Sequence, residues 1–153
     1  MDAPGPGEER FRAFERAAHD RLARTYRDFF TKVTGRAIEP LLAHAEVGPG
    51  RRVLDVATGP GIVAAAAAAR GATVVGVDLS SVMIALASER YPHLVFRECD
   101  AEDLPFGDAA FDAVVCNFGL GHFPSAMRAL AECVRVLAPG GRLALSWWNT
   151  PDV

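Results

Sequence analysis

Apolar positions follow two different rhythms along the chain. From Phe11 to Val33 they recur at steps of three and four (Phe11, Phe14, Ala18, Leu22, Tyr26, Phe29, Val33), which predicts one face of an amphipathic helix. Thr34 is placed to cap a second helix that turns Ala37, Ile38, Leu41, Leu42 and Ala45 inward, and Val47-Gly48-Pro49-Gly50 closes it. Beyond Gly50 the pattern becomes short apolar runs separated by helical spacing. Strands are predicted over 52–56, 73–78, 94–98, 113–117 and 142–148, with helices over 62–70, 81–90 and 126–137, the last carrying Met127, Leu130, Val134 and Leu137. Ser80 or Ser81 caps the middle helix, and Pro139-Gly140-Gly141 stops the last one. Strands of continuous apolar character, alternating with helices, predict a parallel sheet covered on both faces. The expected fold is therefore α/β, a doubly wound sheet of about five strands preceded by two helices. Residues 1–8, rich in Pro and Gly, are expected to be disordered, which leaves 9–153 as one domain.

Composition narrows the function classes. A formal net charge of -3 argues against a nucleic-acid partner, which usually meets a basic surface. Cys99, Cys116 and Cys133 are far apart, with no paired spacing, and read as free thiols, with Cys116 and Cys133 buried. That usage predicts a reducing, cytoplasmic setting. The longest apolar run, 62–69, is too short and too rich in alanine to span a bilayer, so no membrane insertion is expected. The polar start, MDAPGPGEER, does not read as a signal peptide.

The strongest chemical signal is Val53-Leu54-Asp55-Val56-Ala57-Thr58-Gly59-Pro60-Gly61, a strand that passes through a glycine turn into a helix start. Glycines at such a turn let the backbone approach a ligand. The next strand, Val74-Val75-Gly76-Val77-Asp78, ends in a carboxylate, and βαβ geometry makes the ends of these two strands neighbours. Asp78 can accept both hydroxyls of a ribose there, or can serve the helix start at Ser80 and Ser81. Gly59, Gly61 and Ala64 also satisfy a dinucleotide spacing, but Asp55 at the end of the first strand would repel a pyrophosphate. A ligand with cationic sulfonium and ammonium groups suits that charge, and S-adenosylmethionine carries both.

These segments, with Cys99-Asp100-Ala101-Glu102-Asp103-Leu104-Pro105-Phe106, Phe111-Asp112-Ala113-Val114-Val115-Cys116-Asn117 and Val136-Leu137-Ala138-Pro139-Gly140-Gly141, resemble the motifs of class I methyltransferases. The resemblance covers about residues 40–148 and is nearest to the small-molecule enzymes of ubiquinone and menaquinone biosynthesis. It implies a Rossmann-like fold and S-adenosylmethionine as cofactor. It further implies that Asp55, Ala57, Thr58, Gly59 and Gly61 meet the methionine end and Asp78 the ribose. Asp100 and the Ala101 amide would meet the adenine, Leu79 and Met83 would pack on it, and Asn117 would close the methionine side. Ala57 stands where many members carry glycine.

The chemistry expected is methyl transfer to a small-molecule acceptor, in which the protein aligns donor and nucleophile. Strand four runs on as Asn117-Phe118-Gly119-Leu120 rather than Asn-Pro-Pro-Tyr, which disfavours amide-nitrogen and nucleobase acceptors. His122, just past that strand, is the candidate base, against a plain loop or capping role. Tyr26 is a candidate lid residue, against a place on the core face of its helix. A non-catalytic module binding S-adenosylmethionine or S-adenosylhomocysteine is the second reading, and a nicotinamide dehydrogenase a distant third. The family normally continues past strand five, whereas this sequence ends at Pro151-Asp152-Val153. The expectation is a cofactor-binding portion, or a chain that completes its sheet as a homodimer through the strand-five edge.

Overall fold

The computed structural model describes residues 5–25 and 31–148. Five strands, β1 (Arg52–Val56), β2 (Thr73–Asp78), β3 (Val95–Glu98), β4 (Phe111–Asn117) and β5 (Leu137–Ser146), form one sheet in the order β3-β2-β1-β4-β5, and every pairing is parallel. Helices α1 (Pro6–Thr25), α2 (Thr31–Thr34) and α3 (Ile38–His44) precede it, and α4 (Ile62–Ala69), α5 (Ser81–Arg90) and α6 (Ala126–Val136) connect the strands. The expected doubly wound α/β sheet is the observed one.

The apolar runs have the predicted cause. Val53 and Leu54 are adjacent on β1 yet belong to different cores, as do Ala113 and Val114 on β4. One core joins α3 and α4 to the sheet through Ile38, Leu42, Val63 and Ala67; the other joins α6 through Ala129, Cys133 and Val136. At their amino ends β1 and β4 are clamped by Arg52, whose guanidinium donates to Asp112 at 2.7 and 3.2 Å while its backbone N–H donates at 2.9 Å. The Arg52 guanidinium and backbone amide hold the Asp112 carboxyl down to about 2.

Several boundaries differ from expectation. The first helix begins at Pro6, so residues 6–8, expected to be disordered, form its first turn, and Glu8 accepts the Gly5 N–H. At the start of its apolar stripe Phe11 and Phe14 are exposed, whereas Arg12, Glu15 and the stripe's Ala18 are partly covered. Ion pairs to the sheet's carboxyl edge, described below, turn the charged face inward. The proposed continuation through Tyr26 lies outside the described residues. Thr34 is buried and helical and makes no side-chain cap; a 3₁₀ turn over Gly35–Ala37 follows it before α3. On α6 the buried face is Ala129, Glu132, Cys133 and Val136, not the set containing Met127 and Val134, which are exposed. Strand β5 starts at Leu137, not at 142, because Phe111 pairs with Leu137 before a register shift at Pro139-Gly140-Gly141 and pairing resumes at Arg142. It ends at Ser146, so Trp147 and Trp148 lie beyond the strand.

Candidate functional site

Between β1 and β4 the strand order reverses, and such a switch point opens a crevice at the carboxyl ends of the strands. Two lobes of about 510 and 500 Å³ lie there, open to solvent and sharing Ala57, Asp78 and His122 as common walls. Ala57 follows β1, Asp78 ends β2, and His122 lies in a 3₁₀ turn, Leu120–His122, after β4. The sheet topology thus joins residues far apart in sequence.

The glycine turn is held from beneath by Asp55. Its Oδ2 accepts the Thr58 hydroxyl at 2.6 Å and the Ala64 N–H at 3.0 Å, so the carboxylate ties turn to helix. Its Oδ1 is buried and has no hydrogen-bond partner. Burial pushes the Asp55 carboxyl up to about 7, against the pull of its bonds to Thr58 and Ala64, and the charge of Asp78 adds to the rise. Asp55 lines neither lobe and ties the turn to the helix from beneath. Gly61 is also off both walls. It sits at φ 81°, and a Cβ there would meet Phe96 at 2.8 Å and Ala87 at 3.1 Å, so its absent side chain serves helix–strand packing. Thr58 and Gly59 do line the second lobe. A Cβ at Gly59 would meet no atom within 4 Å, which leaves that backbone open to a ligand. Ala57 adopts φ 56°, and Gly119 packs so tightly against it that an added Cβ would approach the Ala57 Cβ to 2.6 Å.

Asp78 is buried at the junction of the lobes. Oδ2 accepts the Gly59 N–H and Oδ1 the Ser80 N–H, each at 2.9 Å. Ser80 is the helix cap, its hydroxyl accepting the Met83 N–H. Asp78 therefore supports the cap and stands in the cleft wall at once. In the first lobe Leu79, Asp100 and Ala101 come together as expected. Asp100 accepts the Glu102 N–H at 2.9 Å through Oδ1 and pairs with Arg12 at 2.7 Å through Oδ2. Met83 is core-buried and reaches only the second lobe. Cys116 and Cys133 are buried as expected, whereas Cys99 is half-buried on the first lobe, its thiol pushed up to about 12 by burial.

Asn117 lines the second lobe, with both ends of its amide engaged. Nδ2 donates to the Thr34 carbonyl at 3.2 Å, and Oδ1 accepts the Ser146 hydroxyl at 2.6 Å. Ser146 Oγ in turn accepts the Phe118 N–H at 2.9 Å. His122 Nδ1 lies 2.8 Å from Glu15 Oε2 on α1. The same helix pairs Arg12 with Glu102 at 3.0 Å and Arg16 with Glu98 at 3.5 Å. Sequence reasoning missed Glu15, Arg16, Thr34, Cys99, Phe118, Gly119, Phe123 and Pro124 as walls. The available signal was the recurrence of Arg12, Glu15 and Arg16 at helical spacing, which the stronger apolar stripe obscured.

A parallel sheet of this order, with a glycine turn after β1 and an acid ending β2, defines a Rossmann-like cofactor-binding domain. The chain belongs to the methyltransferase-domain family, whose match spans residues 54–145. It is 46% identical over 103 residues to the demethylmenaquinone methyltransferase of Beutenbergia cavernae, covering 67% of this chain and 43% of that protein. Identity to the demethylmenaquinone methyltransferase of Clavibacter sepedonicus is 41% over 123 residues, covering 78% and 47%. The chain thus spans about half the length of the curated relatives it matches. Among solved structures, the YcgJ protein of Bacillus subtilis superposes with a TM-score of 0.69 at 31% identity, covering 72% of this chain and 50% of that one. The [4+2]-cyclase SpnF superposes with the same score and identity, covering 72% and 43%.

The cofactor implied by the family is S-adenosylmethionine, and the residues present fit it. Two adjoining lobes that share Ala57, Asp78 and His122 suit a ligand with two ends. The first has apolar walls in Leu79, Ala101, Phe123 and Pro124, which suit a purine; the open Gly59 backbone lies in the second. Asp78 stands where they meet. The Ala64 N–H at the start of α4 is taken by the Asp55 carboxylate, so that helix end is not prepared for a pyrophosphate. Among the described residues no group of side chains could hold a metal ion, and no helix is long and apolar enough to cross a membrane.

Proposed function

We propose that this chain is the cofactor-binding part of an S-adenosylmethionine-dependent enzyme that methylates a small-molecule acceptor, a menaquinone precursor or a compound like it. The observation that carries the reading is Asp78, a buried carboxylate at the junction of the two lobes, which pins the glycine turn through Gly59. The relatives named demethylmenaquinone methyltransferase supply the acceptor class. When bound, the cofactor supplies an activated methyl carbon on a sulfonium. The residues of this chain do the rest. Asp78 accepts from the ribose hydroxyls, Leu79 and Ala101 flank the adenine with Asp100 at its edge, and the turn over Ala57, Thr58 and Gly59 holds the methionine end. Met83 and Asn117 back the second lobe. His122, lining both lobes, takes a proton from the acceptor.

Isothermal calorimetry tests the reading. S-adenosylhomocysteine should bind in the micromolar range, and NAD should not bind; NAD binding without a homocysteine-nucleoside signal overturns it. A second reading, a module that binds the cofactor without methyl transfer, draws on the likeness to SpnF, because a fold shared with a cyclase does not fix the chemistry. Its test is turnover: cofactor binding with no methylation of any quinol acceptor favours it. The outer edge of β5 pairs with no other described strand, and from this we infer self-association. A reducing, cytoplasmic location and the absence of a nucleic-acid partner complete the proposal, on cysteine usage and acidic charge.

A further inference from the structure

We propose that Glu15 is a positioning residue for His122, and that the pair serves an acceptor of the phenol class, one that reacts through an ionised hydroxyl. This rests on the methyl-transfer reading above. Glu15 Oε2 lies 2.8 Å from His122 Nδ1; the Glu15 side chain is 15% exposed and the imidazole 40%, so the carboxylate is largely covered while the ring remains accessible. A carboxylate only accepts, so the imidazole donates its Nδ1 proton to it. In the neutral ring that assigns the basic lone pair to Nε2, the nitrogen opposite the carboxylate. The ring is itself a wall of both lobes at their junction, where the acceptor and the reactive end of the cofactor must meet.

The other charged groups on the first lobe explain why Glu15 and not another acid does this. Asp78 is bonded to Gly59 and Ser80, Asp100 is paired with Arg12, and Arg16 leans to Glu98. The chemistry then balances. The acceptor's O–H proton passes to Nε2. The phenolate's electron pair forms the bond to the methyl carbon as the methyl–sulfur bond breaks, its pair remaining on sulfur. Glu15 stabilises the imidazolium formed, which later gives its proton to water.

The test uses the whole chain labelled with ¹⁵N-histidine, and H122Q identifies the His122 signals. At a pH where the ring is neutral, wild type should show a protonated Nδ1 and a bare Nε2, and E15A should shift toward protonated Nε2. The probe 1-naphthol, whose absorption separates phenol from phenolate, is then added to protein loaded with S-adenosylhomocysteine. With S-adenosylhomocysteine saturating each protein, wild type should ionise it and E15A should do so about tenfold less. E15Q, whose amide oxygen also accepts from Nδ1, should keep the tautomer and recover part of the ionisation. A wild-type ring protonated on Nε2, no naphtholate in wild type, or an E15A that ionises the probe as fully as wild type once both are saturated with the nucleoside overturns the proposal. If S-adenosylhomocysteine fails to bind wild type, it is the methyl-transfer reading that fails, while the tautomer, measured without ligand, still decides the Glu15–His122 contact.

Discussion

Asp78 Oδ2 accepts the backbone N–H of Gly59 across 2.9 Å, so the end of β2 and the turn after β1 are one structural unit. Neither residue is a ligand contact alone: the carboxylate that would bind a ribose also fixes the turn that would hold the methionine end.

Asp78→Ala should therefore weaken S-adenosylhomocysteine by about 1.5–3 kcal/mol, the range for hydrogen bonds to a charged group. Asp78→Asn should cost less, since one oxygen is retained. Calorimetry on both, beside circular dichroism to confirm folding, checks this. A folded Asp78→Ala that binds as tightly as wild type would leave Asp78 only its part in the helix start.

Asp55 makes stability depend on pH with a definite sign. Its folded carboxyl, at about 7, lies above the ordinary 3.8, so folding takes up a proton between those values. Its contribution is fully present below the ordinary aspartate range and is lost as pH rises through about 7. The change is on the order of 4 kcal/mol. Urea titrations across that window should show stability falling, and Asp55→Asn should flatten the fall. An unchanged slope in the variant would place the titration elsewhere.

Gly61→Ala should lower the melting temperature through two costs. The left-handed φ of 81° strains any L side chain, and the new Cβ would press on Phe96 and Ala87. Strain of about 1–2 kcal/mol and overpacking of about 1–3 kcal/mol together predict a loss visible by thermal melting. The same substitution at Gly59, whose φ is also positive but whose surroundings are open, should carry the strain alone and disturb cofactor binding more than melting.

Self-association should run through β5, where Leu145 is exposed on an edge strand and Trp147 and Trp148 stand exposed beyond it. Sedimentation should show a concentration-dependent dimer that Leu145→Lys weakens, since a charge on an edge strand opposes pairing. A monomer at all concentrations rejects the interface.

The sequence by itself determined β1, β2, α5 and the glycine turn, because local chemistry decides each: continuous apolar runs can only be buried, Ser80 caps, and glycines take positive φ. It also determined the family and the nearness of Asp78, Leu79, Asp100 and Ala101, which sit at the end of β2 and just past the ends of β2 and β3. Only the tertiary structure decided that Arg12 and Glu15 on α1 turn toward the sheet, where they meet Asp100, Glu102 and His122, since no periodicity reports partners beyond the helix. It likewise placed Asp55 and Gly61 behind the walls of the two lobes, because a motif fixes order along the chain and not depth below a surface. The contact of Glu15 with His122 joins residues 107 positions apart, and a distance of that kind exists only once the sheet has brought its carboxyl ends together.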